Sequence, residues 1–204
     1  LLSACLTLLL VGLTAALFPI TFLTNDDASI MYTFAGYFTG EPYPIHGFVN
    51  LPLGYVTSLL YMLLPTVPWW PVLQLLCVAI SIWVIFYTLW DVGAEHGLPA
   101  WGMLTLNTLL YLLVLIYSVF RLSFTLTACM LGTAGILRLL SADTGGEQRQ
   151  PLPLFVMLES TALMIVCFLF RNSTGYSMVC FWAAAVAYHA LNTLVGWRQQ
   201  ERKH

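Results

Sequence analysis

The segment NLPLGYVTSLLYMLLP, residues 50–65, decides how this chain is threaded. It is apolar, yet shorter than the ~20 residues that cross a bilayer as a helix. Pro52 lies just inside it, Pro65 closes it and Pro68 follows. Interfacial and re-entrant helices have this length and punctuation. Whether it crosses fixes the side on which everything before it lies.

Around it the chain is 60% hydrophobic and only 8% charged over 204 residues, with a mean hydropathy of +0.85. A soluble domain carries roughly 25% charged residues. Apolar runs at about 1–23, 69–90, 100–119, 122–141, 153–170 and 175–195 approach or reach the length of a span. The expected fold is therefore all-α: one polytopic transmembrane bundle of about six spans. Residues 24–68 form a loop with amphipathic or re-entrant helices, and 196–204 form a tail. ADTGGEQRQP, 142–151, reads as a soluble linker. The first run lacks a basic n-region and reads as a span rather than a signal peptide.

The basic residues are too few and scattered for a phosphate-tracking surface, which excludes nucleic acid as a partner. Cys5, Cys77, Cys129, Cys167 and Cys180 all lie in apolar runs without paired spacing. They read as small buried hydrophobes rather than as a disulfide or metal framework.

The arginines give the topology. Arg121 and Arg138 bracket one span, and their spacing at 1.5 Å per residue is roughly 25 Å, close to the hydrocarbon thickness. Arg149 and Arg171 bracket the next. Parity groups Arg121 with Arg171 on one face, and Arg138, Arg149, Arg198, Arg202 and Lys203 on the other. The positive-inside rule makes the second face cytoplasmic. If 50–65 does not cross, as its length and prolines favour, residues 24–44 share the outer face with Arg121 and Arg171.

That stretch, TNDDASIMYTFAGYFTGEPYP, opens with adjacent carboxylates at the lip of a span. Either Asn25 or Thr24 is the helix N-cap, Thr24 with Asp27 matching the capping-box pattern. Ile30, Phe34 and Phe38 then make one apolar stripe, and Gly40 is the expected stop. Capping and the helix dipole account for one acid. The other is left as a carboxylate in a defined place, able to act as a base or hold a cation. The loop that follows carries Tyr43, His46 and Asn50, with Tyr37 just before it.

This order resembles the first outer loop of the GT-C glycosyltransferases: a first span, an acid pair, a surface helix ending in Gly, and a proline-bearing loop into Pro52-Leu53-Gly54. The phrases NDDASIMYTFAGYFTG, PLGYVTSLLY and PWW carry the resemblance over roughly residues 1–70, with a bacterial branch of unassigned members the most similar. RLSFTLTACMLGTAGIL and FLFRNS resemble the family's later outer corners. The resemblance implies a polyprenyl-phosphate-sugar donor and an acceptor at the extracytoplasmic face of a bacterial cytoplasmic membrane. It also implies a catalytic or metal-holding carboxylate at Asp26 or Asp27, with Mg2+ or Mn2+ as the cation if one is used. Complete relatives have more spans, so the chain reads as a truncated member or a minimal module.

Arg121 and Arg171 either snorkel at span ends or bind an anion such as a lipid phosphate, whose oxygens match the guanidinium fork. His46 and Tyr43 are candidates to line the substrate cleft. Glu159, inside the fifth span, is a candidate intramembrane polar site, whereas His189 reads as an interhelical hydrogen bond. Two rival readings remain at this level: a transporter or flippase working through Glu159, Arg121 and Arg171, and a non-catalytic membrane subunit. Against the transporter, no inverted repeat is visible.

Overall fold

The structure, a computed structural model, describes residues 1–142 and 152–201. Arg149, Arg202 and Lys203, and the side chain of Arg198, lie outside what it describes, as does nearly all of the 142–151 linker. The described residues are mostly helical, and among them three stretches are long and apolar enough to cross a membrane: Trp69–Glu95, Ala100–Phe120 and Phe124–Ser141. The expected six spans are thus corrected. Leu2–Leu17 (α1) and Leu154–Phe170 (α8) are shorter apolar helices.

For α1 the reason is local. Pro19 follows Phe18, and a residue before proline is pushed out of the helical region; Phe18 has φ −120° and ψ 139°. The chain runs on as a short strand, β1 (Thr21–Phe22). Its partner is β2 (Arg121–Leu122), in parallel register Thr21↔Arg121 and Phe22↔Leu122.

α4 (Trp69–Glu95) is followed by α5 (Ala100–Leu110), which continues through a π-turn (Tyr111–Leu115) into α6 (Ile116–Phe120). The π-turn begins at Tyr111, whose hydroxyl lies 2.6 Å from Thr14 Oγ1 and donates to the Leu10 carbonyl at 3.0 Å. Phe18 stacks on Phe120 at 5.5 Å. These contacts seat α5–α6 along α1, so the two exits emerge side by side and pair as β1 and β2.

α7 (Phe124–Ser141) packs between α4, α8 and α9 (Asn172–Glu201). Small residues let it approach closely, as membrane helices do. At Gly135 a side chain would sit 3.1 Å from the Ser160 carbonyl. Ser160 donates to the Gly135 carbonyl at 2.8 Å, and Trp182 Nε1 donates to Ser160 Oγ at 2.8 Å. His189 takes the interhelical role expected of it, with Nε2 2.8 Å from the Leu139 carbonyl. The five cysteines are free thiols, of which Cys167 is buried and Cys5 and Cys180 are exposed.

α2 (Asn25–Phe34) and α3 (Leu51–Leu63) sit at one end of the bundle. Thr24 is the N-cap of α2, which settles that alternative. The helix stops before the expected Gly40, because the chain turns at Gly36, whose φ is +83°. Ile30 and Phe34 are fully buried as the stripe required, but Phe38, past the turn, is 66% exposed. Both ends of α3 are tied to the same end of the bundle. Asn50 N donates to the Leu169 carbonyl at 3.1 Å, beside the end of α8. At the far end Tyr61 OH accepts the Trp70 amide at 3.1 Å. Trp70 in turn packs on Phe170 at 5.6 Å and on Phe34 at 5.5 Å. Segment 50–65 does not traverse the bundle.

Candidate functional site at the loop end

The two adjacent acids have opposite environments. Asp26 is exposed, whereas Asp27 has 0% exposure. The cause is helix geometry: neighbours in a helix point about 100° apart, and Asp27 shares a face with Ile30 and Phe34. Asp27 Oδ1 accepts Gln74 Nε2 at 2.8 Å and the Phe124 amide at 3.0 Å, and Oδ2 accepts the Thr24 hydroxyl at 2.9 Å. One carboxylate therefore fastens α2 to α4 and to the first turn of α7. Burial pushes its pKa above the ordinary 3.8, opposed by the hydrogen bonds from Gln74, Phe124 and Thr24.

The arginines converge on the same corner. Arg171 lies over the Phe124 ring, 4.9 Å from its centroid, donates to Ser173 Oγ at 3.0 Å and hydrogen-bonds Thr125. Arg121 donates to Thr21 Oγ1 at 2.9 Å across the β1–β2 pair. Among the described residues neither guanidinium has a carboxylate within ion-pair distance. Two guanidinium groups with no carboxylate partner among the described residues thus stand at the loop end, where Asp26 is also exposed.

His46 lies at the same end. Its ring packs edge-on to Phe34 at 6.4 Å and against Phe48 at 5.5 Å, and Phe48 stacks on Phe124 at 5.9 Å. Burial lowers the His46 pKa, with the negative charge of Asp26 pulling the other way. The imidazole is then neutral near pH 7. Tyr43 is half exposed, its backbone amide held by the Thr33 carbonyl at 3.3 Å.

The chain matches no protein-family model, no curated protein and no solved structure.

Glu159 stands apart from this corner. Sequence reading offered it no basic partner, but Arg138 Nε donates to its Oε2 at 3.1 Å, and the Tyr87 hydroxyl bonds its other oxygen. Arg138 also lies 4.9 Å over the Tyr87 ring and 3.6 Å from Asp91 Oδ2. The partner was missed because Arg138 sits on α7, across a linker. Since α8 runs from Glu159 towards Arg171, this network belongs to the opposite half of the bundle. It is a paired, hydrogen-bonded cluster of the kind that buried charges require.

The set Asp26 and Asp27 does not fit a shared divalent cation in this arrangement. Both Asp27 oxygens are engaged by protein donors, and among the described residues no three His, Cys, Asp or Glu side chains gather around one point. What the corner offers chemically is one exposed carboxylate, one neutral imidazole and two guanidinium groups free of counter-ions.

Proposed function

We propose that the chain is a membrane glycosyltransferase module. It moves a sugar from a polyprenyl-phosphate donor to an acceptor hydroxyl at the extracytoplasmic face of a bacterial cytoplasmic membrane. The observation that carries the reading is that Asp26, His46, Arg121 and Arg171 all lie at the one end of an apolar bundle where Arg171 and Asp27 meet Phe124. Asp26 is the base: it takes the acceptor proton as the acceptor oxygen attacks the anomeric carbon. The bond from that carbon to the phosphate oxygen breaks, the phosphate leaves with the electron pair, and the configuration inverts. Arg121 and Arg171 stabilise the charge on the departing phosphate, Asp27 holds the corner in shape, and Tyr43 and His46 border the acceptor.

A second reading, a non-catalytic membrane subunit, is favoured by one observation: Asp27 is fully occupied as a structural tie. Reconstitution in proteoliposomes separates the two. Polyprenyl-phosphate-linked hexose is added from the loop side with a hydroxyl acceptor, and released polyprenyl phosphate is counted. Release that falls at least a hundredfold in Asp26→Asn supports the transferase. Equal release in wild type and Asp26→Asn sinks the catalytic assignment, and no release from a folded wild type favours the subunit. Orientation has its own test: a cysteine beside Asp26 reacts with an impermeant thiol reagent in intact cells, while one in the tail does not.

A further inference from the structure

α3 is inside out. Its buried face is Gly54, Thr57, Ser58 and Tyr61, the small and polar residues. Its outward face is Leu51, Tyr55, Val56, Leu59, Met62 and Leu63, each between 47% and 66% exposed. An ordinary surface helix does the opposite, turning an apolar stripe inward and a charged one to water. An interfacial helix keeps a charged face for the headgroups. α3 has neither, and no Asp, Glu, Lys or Arg occurs anywhere between Glu41 and Asp91.

We propose that α3 is sunk into the hydrocarbon of one leaflet at the loop end, with acyl chains as the occupant of its outward stripe. Three observations favour lipid over other occupants. Both ends of α3 are anchored at the same end of the bundle, by Asn50 on Leu169 and by Tyr61 on Trp70. A stretch thirteen residues long rises about 20 Å, less than the ~30 Å core, so with both ends held at one end of the bundle it lies along one leaflet and does not cross. No charged residue interrupts the sequence from α3 into the spanning helix α4, whose Val72, Leu76 and Ile80 are likewise exposed apolar side chains. The inward row keeps the Thr57 and Tyr61 hydroxyls away from lipid: Thr57 Oγ1 donates to the Leu53 carbonyl at 2.7 Å, and Tyr61 accepts from Trp70. The corner built on Phe124 therefore lies against the hydrocarbon boundary rather than above it, whatever chemistry it performs.

Two measurements test this. In nanodiscs, nitroxides at Leu59→Cys and Met62→Cys, in a chain lacking its native cysteines, are probed by oxygen and by a water-soluble nickel chelate. Relaxation dominated by oxygen is expected. Dominance of the chelate overturns the proposal. So does exclusion of both probes with dipolar broadening between chains, which would mean that a second copy covers the face. The wild-type chain is also photolysed in vesicles of phosphatidylglycerol carrying a diazirine on the acyl chain. Adducts on residues 55–64 are expected, and adducts confined to α1, α4 and α5 overturn it.

Discussion

Asp27 Oδ1 lies 3.0 Å from the backbone nitrogen of Phe124, 97 residues further along the chain. The ring of the same phenylalanine lies under Arg171. A buried carboxylate thereby sets the position of a guanidinium it does not touch, through one residue that both engage. The acid pair that draws attention in the sequence has divided its labour: Asp27 builds the corner and Asp26 faces out of it.

Removing the tie should loosen the loop end. Asp27→Leu strands Gln74 Nε2 and the Phe124 amide, each a buried donor, and should cost about 3 kcal/mol in total. Asp27→Asn keeps an acceptor for both and should cost about 1 kcal/mol or less. Thermal unfolding in a mild detergent reads the difference. Equal Tm values for the two variants would remove Asp27 from its structural role.

The same residue gives a signed pH dependence. Its folded pKa is raised above the ordinary 3.8 by burial. Between those two values the folded state holds more protons than the unfolded one, so stability falls as pH rises through the window. The contribution is fully present below the unfolded value and is lost above the folded one. Wild type should therefore gain stability on mild acidification relative to Asp27→Asn. A parallel pair of pH–Tm curves would contradict this.

Arg171 should not be replaceable by lysine. Its planar group stacks on Phe124 while donating to Thr125 and Ser173, a geometry an ammonium cannot reproduce. If it holds a lipid phosphate, losing one charge-assisted hydrogen bond should weaken polyprenyl-phosphate binding about tenfold or more. Binding in nanodiscs of Arg171→Lys and Arg171→Gln checks this, and wild-type affinity in both would exclude Arg171 from the phosphate site.

Gly54 marks how closely the α3 turn approaches the loop before it. A side chain there would sit 2.0 Å from the Pro44 carbonyl oxygen and 3.3 Å from the Phe34 ring. The first of these is backbone and cannot rotate away. Gly54→Ala should therefore destabilise by about 1–3 kcal/mol and loosen the His46 loop, visible as faster amide exchange over residues 43–50.

At the other half of the bundle, Glu159→Leu should cost about 2 kcal/mol, because, of its two carboxylate contacts, Arg138 keeps the longer one, to the 57% exposed Asp91. The double replacement with Arg138→Leu should recover part of that loss. Under the proposed function neither variant changes transfer by more than its effect on the folded fraction. Selective loss of transfer at full stability would instead place Glu159 in the working machinery of the site.

Local chemistry made much of the architecture legible. Apolar runs announced the helices, and the Thr24–Asp27 pattern offered the start of α2. The Ile30 and Phe34 stripe named its buried face. The expected continuation to Phe38 failed because Gly36, four residues before Gly40, already takes a positive φ and turns the chain. The expected number of spans failed because apolar runs continue past helix ends into strand and turn, as at 18–23.

The sequence by itself determined that this is a helical chain with membrane-length apolar segments and an acid pair just past the first apolar run. Periodicity and turn chemistry act over a few residues and need no distant partner. Only the tertiary structure decided that Asp27 is the buried acid, that Glu159 has Arg138, and that both ends of α3 return to Trp70 and Leu169. Each of those depends on which helices meet across long stretches of chain, and an almost uniformly apolar surface does not write that choice into local composition.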